Sequence, residues 1–197
     1  MSSQRSADQP SISALRSLIA AAPARLGHTR LVLVDGPAGS GKTSLAERLA
    51  EALGCAVLHG DEMYEGWAGL PALWETLGGQ VLEPLARGER ARFRRWDWAR
   101  GERGEWIEVD AVDGRAADAL VIEGVGVAGR RAREYASVCV YVEAPWDVRL
   151  ARGIARDGEG MRDEWLRWEA AEEPILSAEG TREAADVVVD GTRAVRD

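Results

Sequence analysis

Gly36-Pro37-Ala38-Gly39-Ser40-Gly41-Lys42-Thr43 has the spacing GxxxxGK[ST], that of a loop built to hold phosphate. Glycines let successive backbone N–H groups turn inward on phosphate oxygens, and a helix opening behind the loop adds the partial positive charge of its N-terminus. Lys42 can reach the β- and γ-phosphates of a nucleoside triphosphate, and the Thr43 hydroxyl can ligate Mg²⁺. The spacing therefore assigns nucleotide binding to Gly36, Ala38, Gly39, Ser40, Gly41, Lys42, Thr43 and Ser44. Lys42 is the single lysine among 25 basic residues, the rest being arginine. A compact, reorientable ammonium is kept where a phosphate-binding cation is needed.

Other groups could complete such a site. Asp61, in Gly60-Asp61-Glu62-Met63-Tyr64, can accept a proton from a substrate hydroxyl or hold Mg²⁺ through water; a solvated loop acid or helix cap is the other reading. Glu123 suits a metal-directed acid, or else a strand-end carboxylate satisfied by backbone. Asp35 precedes the loop and reads as a brace for it. Charge accumulating on a transferring phosphoryl group calls for cations that close over it. Arg149, Arg152 and Arg156 share one helix, Arg152 and Arg156 at i, i+4, and Arg162 follows a break at Gly158 to Gly160. Residues 149–163 therefore read as a mobile lid, or alternatively as a solvated charged face partnered by Asp157 and Glu159. Eight tryptophans stand against one phenylalanine. Trp67, Trp96 and Trp98 come from segments near the site and could stack on a planar substrate, or pack in the core. Trp74, Trp106, Trp146, Trp165 and Trp168 read as half-buried packing.

The elements around these residues follow from the apolar pattern. Leu31 to Asp35 is a continuous apolar run stopping at Gly36, as in a buried parallel strand. The helix predicted from Thr43 to Leu53 puts Leu45, Leu49 and Leu53 on one face and ends at Gly54. Further strands are expected at Ala56 to His59, Ala119 to Glu123, Ser137 to Glu143 and Val187 to Asp190. Helices are expected at Ile12 to Ala22 with Ile12, Leu15, Leu18 and Ile19 inward, at Leu70 to Ala86, after Pro145, and at Asp163 to Ala178. Gly78 and Gly79 predict a kink or two short helices. Residues 87–110 read as a hairpin insertion. The alternation predicts an α/β three-layer sandwich of P-loop NTPase type, its mostly parallel five-stranded sheet covered by helices on both faces, with the hairpin and lid added. One domain spanning 1–197 is expected, with 1–10 disordered. Such sheets bind ligands beyond the carboxyl ends of their strands, where Gly36, Asp61 and Glu123 fall.

Composition narrows the function classes. With 197 residues, 46% hydrophobic and 29% charged, the chain should fold on its own. Its net charge of −8 argues against nucleic-acid or anionic-membrane partners, and the Arg87 to Arg95 cluster lies on a hairpin's outward face. No signal-peptide core or apolar stretch of about 18 residues occurs, which predicts a cytoplasmic protein. Cys55 and Cys139 read as buried reduced thiols, and two histidines offer no metal cluster. A guanine-specific switch would carry Asn-Lys-x-Asp, excluded because Lys42 stands between Gly41 and Thr43. A small-molecule partner is expected, and a homo-oligomer is left open.

From Leu31 to Asp190 the chain resembles the uridine kinase branch of P-loop nucleoside kinases. The likeness rests on the loop, on Asp61-Glu62-Met63-Tyr64, on Trp96-Asp97-Trp98, on Ile122-Glu123-Gly124 and on the arginine helix Arg149 to Asp157. The resemblance implies an ATP- and Mg²⁺-dependent kinase, with Asp61 as catalytic base and Glu123, Thr43 and Asp61 serving the metal. It implies Arg152 and Arg156 in a lid over the transferring phosphate; taken with the residues read above, Lys42 is expected on that phosphate and Tyr64, Trp67, Trp96, Asp97 and Arg162 around the acceptor, most naturally a nucleoside. The chain departs from the pattern in having no aspartate between Glu65 and Trp96 to hold ribose hydroxyls, and no histidine after Trp98. A kinase for another small acceptor and a non-enzymatic ATP-binding regulator are the alternatives.

Overall fold

Apolar runs without polar interruption form the centre of one sheet. The computed structural model describes residues 9–109 and 118–197. The expectations for residues 1–8 and for the end of the hairpin at 110 lie outside them. In chain order the elements are α1 (Ile12–Ala21), β1 (Arg30–Asp35), α2 (Lys42–Leu53), β2 (Val57–His59), α3 (Leu73–Thr76), α4 (Glu83–Ala86), β3 (Ala91–Asp97), β4 (Glu102–Val109), β5 (Ala119–Glu123), α5 (Arg130–Arg133), β6 (Ala136–Glu143), α6 (Trp146–Asp157), α7 (Arg162–Glu179) and β7 (Val187–Asp190).

Five strands pair in parallel in the order β2-β5-β1-β6-β7. From β1 the chain crosses to the edge at β2, returns to β5 beside β1, and then passes to β6 on the other side. The crossovers diverge above β1, and this leaves a crevice at its carboxyl end. Register puts Val34 opposite Glu123 and His59 opposite Glu123, so Asp35, His59 and Glu123 end at one level.

Alternation along β1 sends Leu31 and Leu33 into one core and Val32 and Val34 into the other, which is why Leu31 to Val34 contains no polar residue. Helices α1 and α2 cover the second core through Ile12, Leu15, Ile19, Leu45 and Leu49. Leu18, expected to face inward, is 39% exposed. One residue before Ile19 it is turned about 100° from the narrow stripe that α1 buries. The first core takes Leu77, Val81, Leu82, Phe93, Trp168 and Leu176.

Between α3 and α4 the chain forms a π-helical stretch, Leu77–Leu82, around Gly78 and Gly79, in agreement with the predicted kink. A Cβ on Gly78 would lie 2.3 Å from the Trp74 indole, so the wide turn coincides with a contact only glycine allows. Strands β3 and β4 form a separate antiparallel hairpin anchored by Ala91, Phe93 and Val109. Helix α6 ends at Asp157, Gly158 turns at φ +93°, and a 3₁₀ turn (Glu159–Met161) leads into α7, so the break expected at Gly158 to Gly160 is present.

Candidate active site

The loop after β1 is shaped by what presses on it. A Cβ on Gly39, where φ is +75°, would come within 2.7 Å of the Arg149 carbonyl, so glycine lets α6 close on the loop. Gly41 caps α2 without any side-chain hydrogen bond, and the helix's first N–H groups have no intrahelical partner. An uncapped helix N-terminus behind a glycine loop is suited to phosphate oxygens. Asp35 braces the loop as expected. Its Oδ1 accepts from the N–H groups of Gly36 (2.6 Å) and Gly126 (2.8 Å), and its Oδ2 from that of Ala128 (2.8 Å). Burial raises its pKa to about 6 against the lowering effect of those bonds. Lys42 Nζ donates to the Pro37 carbonyl at 2.9 Å, and burial lowers its pKa.

Beside the loop, Thr43 donates its hydroxyl proton to Glu123 Oε1 at 3.2 Å, and His59 Nδ1 lies 2.8 Å from the same oxygen. Mg²⁺ is usually held by one or two protein oxygens, with phosphate and water completing an octahedron. A hydroxyl and a carboxylate in contact beside a phosphate cradle fit that donor set. His59 was not singled out by the sequence, although its place at the end of β2, opposite Glu123, was a usable signal. The hydrogen bond to Glu123 raises its pKa against the effect of burial.

Asp61 lies in the 3₁₀ turn directly after β2, on the wall of a recess of about 500 Å³ that also contains Lys42, Thr43, Glu123, Arg156 and Trp98. Water reaches its carboxylate, as an incoming hydroxyl must, yet desolvation by the surrounding walls raises its pKa, followed by the charge of Glu123; His59, Lys42 and Arg156 oppose the shift. Tyr64 and Trp67 line the same recess, as expected.

Other assigned residues lie elsewhere. Arg152 sits on the outer side of the loop, donating to the carbonyls of Gly39 (3.1 Å), Ser40 (3.3 Å) and Gly191 (2.8 Å). With Gly41 and Ser44 it lines a second cavity of about 460 Å³. Arg156, one helical turn later, does line the main recess and is paired with Asp157. Arg149 is buried under the loop, so the segment 149–163 begins as a brace. Arg162 is exposed and paired with Glu159, away from the recess. Asp97 Oδ1 accepts from the N–H groups of Ala99 and Arg100, which holds the hairpin turn. Because the chain turns there, Trp98 and not Trp96 reaches the site, donating from Nε1 to the Asp61 carbonyl at 3.1 Å. Trp165 and Trp168, expected as half-buried packing, are buried and form part of the recess wall.

Glu172 on α7 was missed altogether. Its Oε2 accepts from the Ala38 N–H (2.9 Å) and Trp168 Nε1 (2.7 Å), and its Oε1 from Arg149 (2.8 Å). It ties α6 and α7 to the phosphate loop. Only the Trp168 to Glu172 spacing of four was visible beforehand.

The chain matches the AAA ATPase domain family over residues 9–143. It is similar to a tRNA dimethylallyltransferase of Phenylobacterium zucineum, 35% identical over 76% of this chain and 48% of the relative. A cytidylate kinase of Pyrobaculum arsenaticum is 27% identical over 68% of this chain and 64% of its own. The chain thus spans less than two thirds of either relative. Among solved structures, a possible uridine kinase from Bacillus stearothermophilus superposes with a TM-score of 0.63 at 21% identity, over 91% of this chain and 97% of that one. That likeness establishes the fold expected from the resemblance. The family match across more than half of the chain, with a glycine loop at the carboxyl end of β1 and a parallel sheet around it, shows that this chain belongs to the AAA ATPase domain family, in the fold of a P-loop kinase.

Proposed function

We propose that the protein is a small-molecule kinase that transfers the γ-phosphoryl group of ATP to an alcohol. One observation carries this reading: the phosphate loop and Asp61, a solvent-reachable carboxylate, open into the same recess. A nucleotide whose phosphates lie on the loop has room for its base in the second cavity beyond Gly41 and Ser44, beside Arg152. The main recess then stays free for the acceptor. ATP supplies the phosphoryl group and Mg²⁺ neutralises its charge when they are bound. Thr43 and Glu123 would hold the metal, while Lys42 and the loop N–H groups orient the phosphates. Asp61 takes the proton of the acceptor hydroxyl as its oxygen bonds to the γ-phosphorus. The bond from that phosphorus to the bridging oxygen breaks, and its electron pair leaves with ADP. Arg156 stands at the recess to stabilise the developing charge.

A nucleoside is the acceptor that the family resemblance implies, but Trp96, Asp97 and Arg162, assigned to it, lie outside the recess. The test of phosphotransfer is Asp61→Asn, which should lower kcat by about 10²- to 10⁴-fold and preserve ATP affinity. Near-native turnover in that variant would remove Asp61 from the reaction. An ATP-binding regulator would instead hydrolyse ATP slowly and show no increase in ADP release with any alcohol.

A further inference from the structure

The recess has a wall that phosphoryl transfer does not require. Tyr64 stacks on Trp168, with centroids 5.7 Å apart and planes at 24°. Trp67 meets Trp98, Trp165 and Trp168 edge to face at 5.6, 6.4 and 5.8 Å. These five rings come from the segment after β2, the hairpin turn and α7, and all of them line the recess. Three of the four indole N–H groups are already committed to the protein: Trp98 to the Asp61 carbonyl, Trp165 to Asp157 (3.0 Å) and Trp168 to Glu172. Trp165 and Trp168 are 2% and 4% exposed, with the Arg156 guanidinium 5.7 Å over the Trp165 ring, so they back the wall, and Trp67 and Trp98 keep the indole carbon that an entering ligand can meet. The wall's remaining polar atoms are the Tyr64 hydroxyl and Trp67 Nε1, enough for one or two hydrogen bonds.

The charged groups are committed too. Among the described residues the cations lining the recess are Lys42 and Arg156. Lys42 belongs to the phosphate loop, and Arg156 is held by both oxygens of Asp157 at 2.7 and 2.9 Å. Among the described residues no further cation lines the recess to receive an acceptor that already carries phosphate. Its carboxylates are Asp61, Glu123 and Asp157, assigned to proton transfer, to the metal and to the ion pair with Arg156. Among the described residues none remains to read a set of ring hydroxyls, and the chain has no aspartate between Glu65 and Trp96.

We infer that the acceptor is a neutral aromatic alcohol with few hydroxyl groups, its ring against Trp67 and Trp98, which Trp165 and Trp168 back, and its hydroxyl at Asp61. This rests on the phosphotransfer reading and narrows it: nucleotides, sugars and nucleosides bring charge or hydroxyls that the recess does not answer, whereas a flat apolar body gains stacking contact. The full chain, with ATP and Mg²⁺, is assayed for ADP release with 2-(indol-3-yl)ethanol and benzyl alcohol against uridine, cytidine, fructose and CMP. The aromatic alcohols should give a kcat/KM at least about tenfold above the others, a difference of about 1.4 kcal/mol. Trp67→Ala and Trp98→Ala should each raise the alcohol's KM several-fold, with Trp98→Phe restoring most of it and the KM for ATP retained. Trp98 is 38% exposed, so its truncation remains informative if Trp67→Ala does not fold. Highest kcat/KM with uridine, cytidine, fructose or CMP overturns the acceptor class and leaves phosphotransfer standing, as does an alcohol KM indifferent to Trp98→Ala. If every compound fails to raise ADP release while ATP still binds, the acceptor class and phosphotransfer fall together.

Discussion

At Asp61, enclosure and a neighbouring charge act in the same direction. Desolvation and then Glu123 hold its pKa above the usual carboxylate value, so the folded protein binds this proton more readily than an open chain would. A general base works only when deprotonated; kcat/KM should therefore fall as pH drops through a value above 3.8, with the acid limb displaced upward from that of a free aspartate. Glu123→Gln removes the neighbouring charge and should move the Asp61 titration downward, read by carboxyl NMR in nucleotide-free protein. An unchanged Asp61 titration would show that the two carboxylates do not interact. Lys42 and Thr43 were legible as a pair because the loop motif is local and its spacing is fixed by backbone geometry. Trp96 and Asp97 were assigned by similarity of a three-residue stretch, and the turn that begins directly after Asp97 sent Trp98 to the site in their place.

Among the elements, α6 and α7 show how a helix is placed by a few buried polar contacts. Glu172 accepts hydrogen bonds from the Arg149 guanidinium, the Ala38 backbone and the Trp168 indole, all at a position 1% exposed. Glu172→Ala would leave the Ala38 and Trp168 N–H groups without a partner, while Arg149 keeps Glu169 (3.4 Å) and the carbonyls of Ala38 and Ala144, so it should cost about 1–3 kcal/mol of unfolding free energy, measurable in urea. A loss under about 1 kcal/mol would mean that water replaces the carboxylate without penalty. Because Glu172 also grips the loop at Ala38, the same variant should weaken ATP binding. The sequence contained both partners, but Arg149 and Glu172 stand 23 positions apart on separate helices, and no periodicity couples them. The strands were easier to read, since residues buried on both sheet faces must be apolar throughout and Gly36, Gly124 and Gly191 punctuate their ends.

Across the whole molecule, two cores share one sheet, and the site lies where strands, loop and α7 meet. Binding of a ligand to the folded form alone adds about 2.7 kcal/mol at a hundred times its Kd. For a chain of this size that corresponds to a rise in Tm of several degrees, at roughly 2–4 °C per kcal/mol. ATP with Mg²⁺ should produce that rise in one cooperative transition, seen alike by circular dichroism and tryptophan fluorescence. Lys42→Ala should abolish the rise, and a full shift in that variant would place the nucleotide elsewhere. The sequence by itself determined the phosphate loop, the parallel α/β sandwich and the two carboxylates at the strand ends, because each depends on local spacing or on burial of a continuous run. Only the tertiary structure decided which tryptophans line the recess, which arginine of α6 lines it, and that Glu172 holds the loop. Those outcomes depend on side chains brought together from distant segments, and their meeting is set by how the helices and hairpin pack over the sheet.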